Sequence, residues 1–201
     1  MTDADQLVFP GFSSEPEQKT ERLFFGLYPD PDTALLIAKR TQSLRDECGL
    51  TGEPLAPARL HVTLHHIGDF AGLPQHLIVG AVEAADSLRA APFDVVFDRA
   101  MSFGGQPGNN PFVLRGAEDG GLSALMTFRG TLSLAMAKTG RLLGERVASS
   151  FTPHVTLLYD GRVVTERLVE PIRWTVREFV LVRSLLGKTR HIVIGRWPLR
   201  G

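Results

Sequence analysis

HVTL occurs twice in this chain, as His61-Val62-Thr63-Leu64 and as His154-Val155-Thr156-Leu157. The chain has six histidines, at 61, 65, 66, 76, 154 and 191, so two of the six carry the same three residues after them. Both copies sit in apolar, β-branched runs: Arg59 to Ile67, closed by Gly68-Asp69, and Phe151 to Tyr159, closed by Asp160-Gly161. That is the composition of a strand ended by a turn. Side chains alternate across a strand, so Leu60, Val62 and Leu64 take one face while His61, Thr63 and His65 take the other. In the second copy Val155 and Leu157 share a face with Phe151, and Thr152, His154, Thr156 and Leu158 take the opposite one. Each strand then buries an apolar pair and presents an imidazole and a hydroxyl roughly 7 Å apart. By the same alternation His66 faces the apolar side as a core residue, while His65 stands at the rim of the His-Thr face.

The rest of the chain places these strands in two similar halves. Arg22 to Tyr28, RLFFGLY, reads as a strand ending at Pro29-Asp30-Pro31. Asp32 or Thr33 caps a helix running from Ala34 to about Cys48, with Gly49 as its stop. Pro54 and Pro57 mark a loop. A second helix spans Pro74 to about Ala90, and Pro92 to Phe97 is a strand. SFGGQPGNNP, Ser102 to Pro111, is a mobile rim loop on its turn formers; it lacks G-x-x-x-x-G-K-[ST], so no nucleotide P-loop is read there. Phe112 to Leu114 resumes a strand. Leu122 to Leu143 is one long or broken helix weakened by Gly130. Trp174 to Leu185 and Arg190 to Trp197 form a hairpin around Gly187-Lys188. Residues 1–20 are polar and form a flexible arm. Residues 21–201 then make a single α+β domain of two pseudo-symmetric lobes, whose antiparallel sheets flank a central cleft.

Composition narrows the functional classes. At 201 residues and 43% hydrophobic content the chain can build one substantial core. Lys+Arg and Asp+Glu both total 22, so no net positive field draws in long nucleic acid. A nucleic-acid ligand is therefore short or gripped at an end. The one cysteine, Cys48, excludes an internal disulfide and a cysteine-based zinc site. Neither a secretory segment nor a membrane span is read at the N-terminus, so the expectation is a cytoplasmic protein without membrane contact or an obligate protein partner.

If the two His-Thr faces meet across one cleft, four polar groups converge. Two imidazoles on opposite sides of a reacting atom suit in-line displacement: one takes a proton from the nucleophile and the other supplies one to the leaving group. Threonine hydroxyls can donate to an anionic oxygen. The arrangement points to a phosphodiester. Asp69 and Asp160, each after a motif strand, admit a metal-binding reading with the histidines, but turn formation explains both more simply. Arg129, Arg141, Arg146, Arg162 and Lys188 are further cations that ordinarily face solvent.

HVTL and PHVTL resemble the H-x-[ST]-x signature of the 2H phosphoesterases, and residues 22–199 look like their RNA 2',3'-cyclic phosphodiesterase branch, also called 2'-5' RNA ligases. RLFFGLYPDP at 22–31, LHVTLHHIG at 60–68 and FTPHVTLLY at 151–159 carry the likeness. It implies a bilobal 2H phosphoesterase-like fold, no metal and no cofactor. The implied reaction is hydrolysis of a 2',3'-cyclic phosphate, at an RNA 3' end or in a small cyclic nucleotide, to a 2'-phosphomonoester. Within the motifs it implies His61 as general acid, His154 as general base activating water, and Thr63 and Thr156 holding the phosphate. Joining of 2'-5' bonds would be the incidental reverse reaction. Two positions depart from the branch: Tyr159 stands where it often has arginine, and His66 where it favours an aromatic residue. Tyr159 either stacks on a base or packs at the strand end, packing being the simpler reading, and His65 is a candidate substrate contact. A non-catalytic RNA-end or nucleotide binding module on the same fold is the rival expectation, and a metal-dependent hydrolase a third.

Overall fold

A computed structural model of the chain describes residues 18–117, 121–140 and 151–200. β1 (Glu21–Leu27) leads into α1 (Pro31–Glu47). The helix starts earlier than a cap at Asp32 or Thr33 would allow. Asp30 is the N-cap, its carboxylate accepting from the Thr33 backbone N–H at 2.9 Å and from the Thr33 hydroxyl at 2.7 Å. Pro31 then takes the first helical position, where its missing N–H costs nothing. Gly49, at φ 61°, closes the helix in the left-handed conformation. A short 3-10 turn, Pro57–Arg59, precedes β2 (Val62–Phe70) and α2 (Gln75–Asp86). β3 (Phe93–Ser102), β4 (Asn110–Arg115) and α3 (Ser123–Lys138) follow, then β5 (His154–Asp160), β6 (Arg167–Val176), β7 (Glu178–Leu185) and β8 (Arg190–Pro198).

The strands form one antiparallel sheet in the order β6-β3-β4-β5-β2-β1-β7-β8. The motif strands β5 and β2 are the innermost of two four-stranded halves, joined through the pair Val62 and Val155. The two expected sheets are thus two halves of one hydrogen-bonded layer. Leu23, Phe25 and Leu27 of β1 face the main core together with Ile37 of α1, Ala81 of α2, and Leu125 and Leu132 of α3. Burying a side chain of the larger kind contributes about 1.5–3 kcal/mol. Phe24 turns the other way, packing with Val180 and Val182 in a small second cluster. That second face carries the cleft.

Both motif strands break the expected alternation in the same way. On β2, Phe25 pairs with His65 while Gly26 pairs with Thr63, so Leu64 is an extra residue, a β-bulge. On β5, Val113 pairs with Thr156 while Phe112 pairs with Leu158, so Leu157 is the extra residue. The leucine of each HVTL is therefore the bulge. Each bulged carbonyl finds a donor outside the ladder: Arg129 Nε of α3 donates to Leu64 O at 3.3 Å, and the Leu55 N–H donates to Leu157 O at 2.7 Å. The slip reverses the side chains that follow, on β2 as far as Ile67, where a second bulge between the Leu23 and Phe24 pairings reverses them again. His65, expected on the His-Thr face, pairs with Phe25 on the core side, where its Nδ1 lies 3.4 Å from the Ser133 hydroxyl of α3. His66, expected in the core, pairs with Phe24 and is exposed on the cleft side. Leu158, expected beside His154 and Thr156, is fully buried.

Other boundaries differ as well. β2 runs through Gly68-Asp69 rather than stopping there, held by its ladder with β1. The stretch from Trp174 to Leu185 is two strands broken at Arg177, β6 pairing with β3 and β7 with β1. β3 and β4 consume the ends of the expected rim loop, leaving a turn with a Gln106–Asn109 bridge and Gly108 at φ 77°. α3 passes through Gly130 unbroken to Lys138, and its expected extension from Arg141 to Leu143 lies outside the described residues. So do residues 1–17 of the expected arm; Thr20, at its end, bonds to Phe70 and Leu186.

Candidate active site

The cleft has a volume of about 480 Å³. His61, Thr63 and His66 line it from the first motif, and His154, Thr156 and Tyr159 from the second. Both bulges thus bring the fifth residue after each histidine back to the cleft. Val62 lies opposite Val155 in an antiparallel pair. One residue either way along that pair, His61 comes opposite Thr156 and Thr63 opposite His154, which makes two imidazole-hydroxyl neighbours across the junction.

The two imidazoles are held alike. His61 Nδ1 is 2.6 Å from the carbonyl oxygen of Arg59, and His154 Nδ1 is 2.8 Å from that of Thr152. A carbonyl only accepts, so each Nδ1 carries the proton and donates it. Each Nε2 is then the nitrogen left for chemistry, bare in the neutral ring and protonated in the charged one. Their packing differs. Phe24 lies 4.9 Å from His61 between ring centroids, Tyr28 stacks on it at 5.5 Å, and His191 meets it edge-on at 5.1 Å. Phe103, from the turn after β3, meets His154 edge-on at 4.9 Å.

Burial holds both imidazoles neutral. It pushes His61 down to about 4 against the Arg59 carbonyl bond, with His191 and His154 adding to the effect. Burial also lowers His154, against the bond to Thr152. His191 falls to about 4 through burial and then the charge of Arg59. At neutral pH His61, His154 and His191 therefore offer basic nitrogens rather than imidazolium, and an anion arriving between them would favour the charged form.

The two aspartates serve structure. Asp69 accepts from Arg22 Nε at 2.7 Å and Arg22 Nη2 at 2.8 Å, with His66 Nε2 at 3.0 Å; Arg22, then burial opposing it, then His66 leave its carboxyl well below the usual range. Asp160 accepts from the backbone N–H groups of Arg162, Gly52 and Thr51 at 2.8, 2.7 and 2.6 Å, which lowers it to about 2. It pins the loop after α1 to the end of β5. Among the described residues no cluster of three His, Cys, Asp or Glu is placed to hold a metal ion, and none of their helices is long and apolar enough to cross a membrane.

Arg22, Phe24, Arg59 and His191 also line the cleft and escape the motif reading. His191 is an isolated histidine on β8, and Arg59, expected to open the first motif strand, sits instead in the 3-10 turn before it, so the packing reveals them. The Phe-Phe pair at 24 and 25 carried a signal: on a strand, one of two adjacent aromatics must leave the core. Arg129 and Arg162 bond elsewhere, to Leu64 O and Cys48 O. Arg141 and Arg146 lie outside the described residues.

Comparison with known proteins agrees with this geometry. A family model described as the 2'-5' RNA ligase superfamily matches residues 28–188. Among solved structures, Escherichia coli LigT complexed with 3'-AMP is similar with a TM-score of 0.67 and 22% identity, over 91% of this chain and 100% of that one. A Thermus thermophilus protein aligns at TM-score 0.65 and 22% identity, over 90% and 98% of the two chains. A structure described as a phosphoesterase aligns at TM-score 0.64 and 21% identity, over 90% and 99%. These likenesses establish the fold. A sequence search of curated proteins finds no match.

Proposed function

Because the chain belongs to the 2'-5' RNA ligase superfamily, we propose that it hydrolyses 2',3'-cyclic phosphates, at RNA 3' ends or in small cyclic nucleotides, to 2'-phosphomonoesters without a metal. The observation that carries the reading is the pair of histidines with matched Nδ1 bonds to carbonyls two residues upstream, both lining one cleft beside a threonine.

His154 Nε2 takes a proton from water, and the water oxygen attacks phosphorus. The bond from phosphorus to the 3' oxygen breaks, and His61 Nε2–H gives its proton to that oxygen. The products are a 2'-phosphomonoester and a free 3' hydroxyl, with the proton count unchanged across the pair of imidazoles. Thr63 and Thr156 donate to the nonbridging oxygens, where negative charge grows in the transition state. Tyr159, 46% exposed on the cleft wall, stacks on the nucleobase. His65, on the core side, takes no part. Joining would also start from the cyclic phosphate, with a 5' hydroxyl in place of water attacking phosphorus as the bond to the 3' oxygen breaks to leave a 2'-5' diester, and it is incidental because water outcompetes a second hydroxyl.

The test is incubation with a 2',3'-cyclic-phosphate oligonucleotide in EDTA. Formation of a 2'-phosphate end supports the proposal, and loss of turnover in EDTA or a 3'-phosphate product opposes it. A second reading, a binding module without catalysis, draws on the neutral state of both histidines in the free cleft. Tight binding of the oligonucleotide without any product would favour it.

A further inference from the structure

Next to His61 the cleft holds a cation without a counter-charge. Arg59 lines the wall close to His61 and His191, and its Nε is fully buried with no hydrogen-bond partner. Among the described residues no carboxylate pairs with it, whereas Arg22, the cleft's other arginine, is neutralised by Asp69. A guanidinium nitrogen buried without an acceptor is a standing cost that an incoming anion removes. The charge is felt on one side of the cleft: secondary to burial, it acts on His61, His191 and Tyr28, and it does not figure in the shift at His154.

His191 completes the feature. Its Nδ1 lies 2.8 Å from the Tyr28 hydroxyl, which leaves Nε2 as the free ring nitrogen. With the tyrosine donating, that Nε2 carries a proton and is a neutral donor beside the arginine. A second cavity of about 650 Å³, lined by Tyr28, Ala58, Arg177 and Arg196, shares His191 as a wall with the cleft.

We propose that Arg59, assisted by His191, forms a subsite for a second phosphate group of the substrate, distinct from the one that reacts between His61 and His154. The inference rests on the reading of His61 as the acid toward the leaving 3' oxygen. That role puts the ribose on the His61 side of the reacting phosphorus, so a phosphate on its 5' carbon is carried toward Arg59. Two nonbridging oxygens of such a phosphate match the paired N–H donors of a guanidinium. The source is either a terminal 5'-monoester or the diester of a longer strand, which would continue into the second cavity.

The experiment is titration calorimetry of the full chain with adenosine 2'-monophosphate, adenosine 2',5'-bisphosphate and a diadenosine ending in a 2'-phosphate. The added phosphate should tighten binding about tenfold, the scale of one good charge-assisted contact. Arg59→Gln should bring that ratio close to one, and Arg59→Lys should keep part of it; the buried Nε has no partner among the described residues, so neither change removes a bond of that atom. A gain with the bisphosphate alone identifies the monoester as the natural group, and a gain with the dinucleotide alone identifies the diester. A ratio near one in the unaltered protein, a ratio untouched by Arg59→Gln, or no binding of any of the three overturns the subsite. Because binding of product-like ligands is read, an Arg59-dependent ratio in a protein that fails to hydrolyse cyclic phosphates would overturn only the hydrolytic reading.

Discussion

Val62 lies opposite Val155 where β2 meets β5, and both side chains are fully buried. The pair closes the two halves of the sheet and sets each motif histidine beside the other motif's threonine. Val155→Ala is expected to lower stability by about 1–3 kcal/mol, measured by urea unfolding. Its effect on kcat should exceed that of Leu132→Ala, a cavity in α3 remote from the cleft. Equal losses of kcat per unit of stability would show that the junction does not align the site.

Replacing either histidine tests the division of labour. His61→Ala and His154→Ala should each lower kcat by about 10² to 10⁴ with the fold retained. Thr63→Val and Thr156→Val should each cost on the order of 10² in kcat, as for other transition-state donors. His65→Phe touches only the core side, so its effect should fall on thermal stability. A large loss of kcat from that change, measured at equal folded fraction, would contradict the bulged register.

The pH profile follows from the buried imidazoles. kcat/KM reports the free protein, in which His61 titrates at about 4 and His154 below its ordinary 6.5. The base must be neutral and the acid charged, so both limbs of the bell lie below 6.5, whichever histidine is the acid. The profile of kcat should sit higher, because the bound phosphate favours the charged imidazole. Binding near pH 6.5 should therefore take up a proton, visible as a calorimetric heat that varies with buffer ionisation enthalpy. A kcat/KM optimum above 7 would contradict the assignment.

Asp160 offers a structural test. Asp160→Ala leaves three backbone N–H groups without their acceptor and should cost about 2–4 kcal/mol, with Asp160→Asn losing less. The folded carboxyl, lowered from 3.8 to about 2, contributes stability that is present above pH 3.8 and lost as pH falls toward 2. The acid limb of the stability curve should flatten in the Asn variant, checked by thermal melts from pH 5 to 2.

The identity of the two motif strands was legible because a repeated His-x-Thr on an apolar background is rare and has an obvious face. Their register after the threonine was not. Alternation has period two, and a bulge at Leu64 or Leu157 inverts the residues next to it, which exchanged His65 with His66 and carried Tyr159 to the cleft. Nothing local in HVTL announces the bulge, since the donors that accept its cost, Arg129 and the Leu55 N–H, come from distant segments. The break at Arg177 was hidden because β-rich composition continues across it while the pairing partner changes from β3 to β1. His191 belongs to no pattern in the chain and becomes a neighbour of His61 only through the sheet, while Arg59 reaches the cleft from the turn just before His61.

A structure of the protein with vanadate and a nucleoside tests the central claim most directly. The account predicts a trigonal-bipyramidal centre with His61 Nε2 and His154 Nε2 each about 3 Å from an apical oxygen, and the hydroxyls of Thr63 and Thr156 on equatorial ones. Vanadate touching only one of the two imidazoles, or seated outside the cleft, would contradict it.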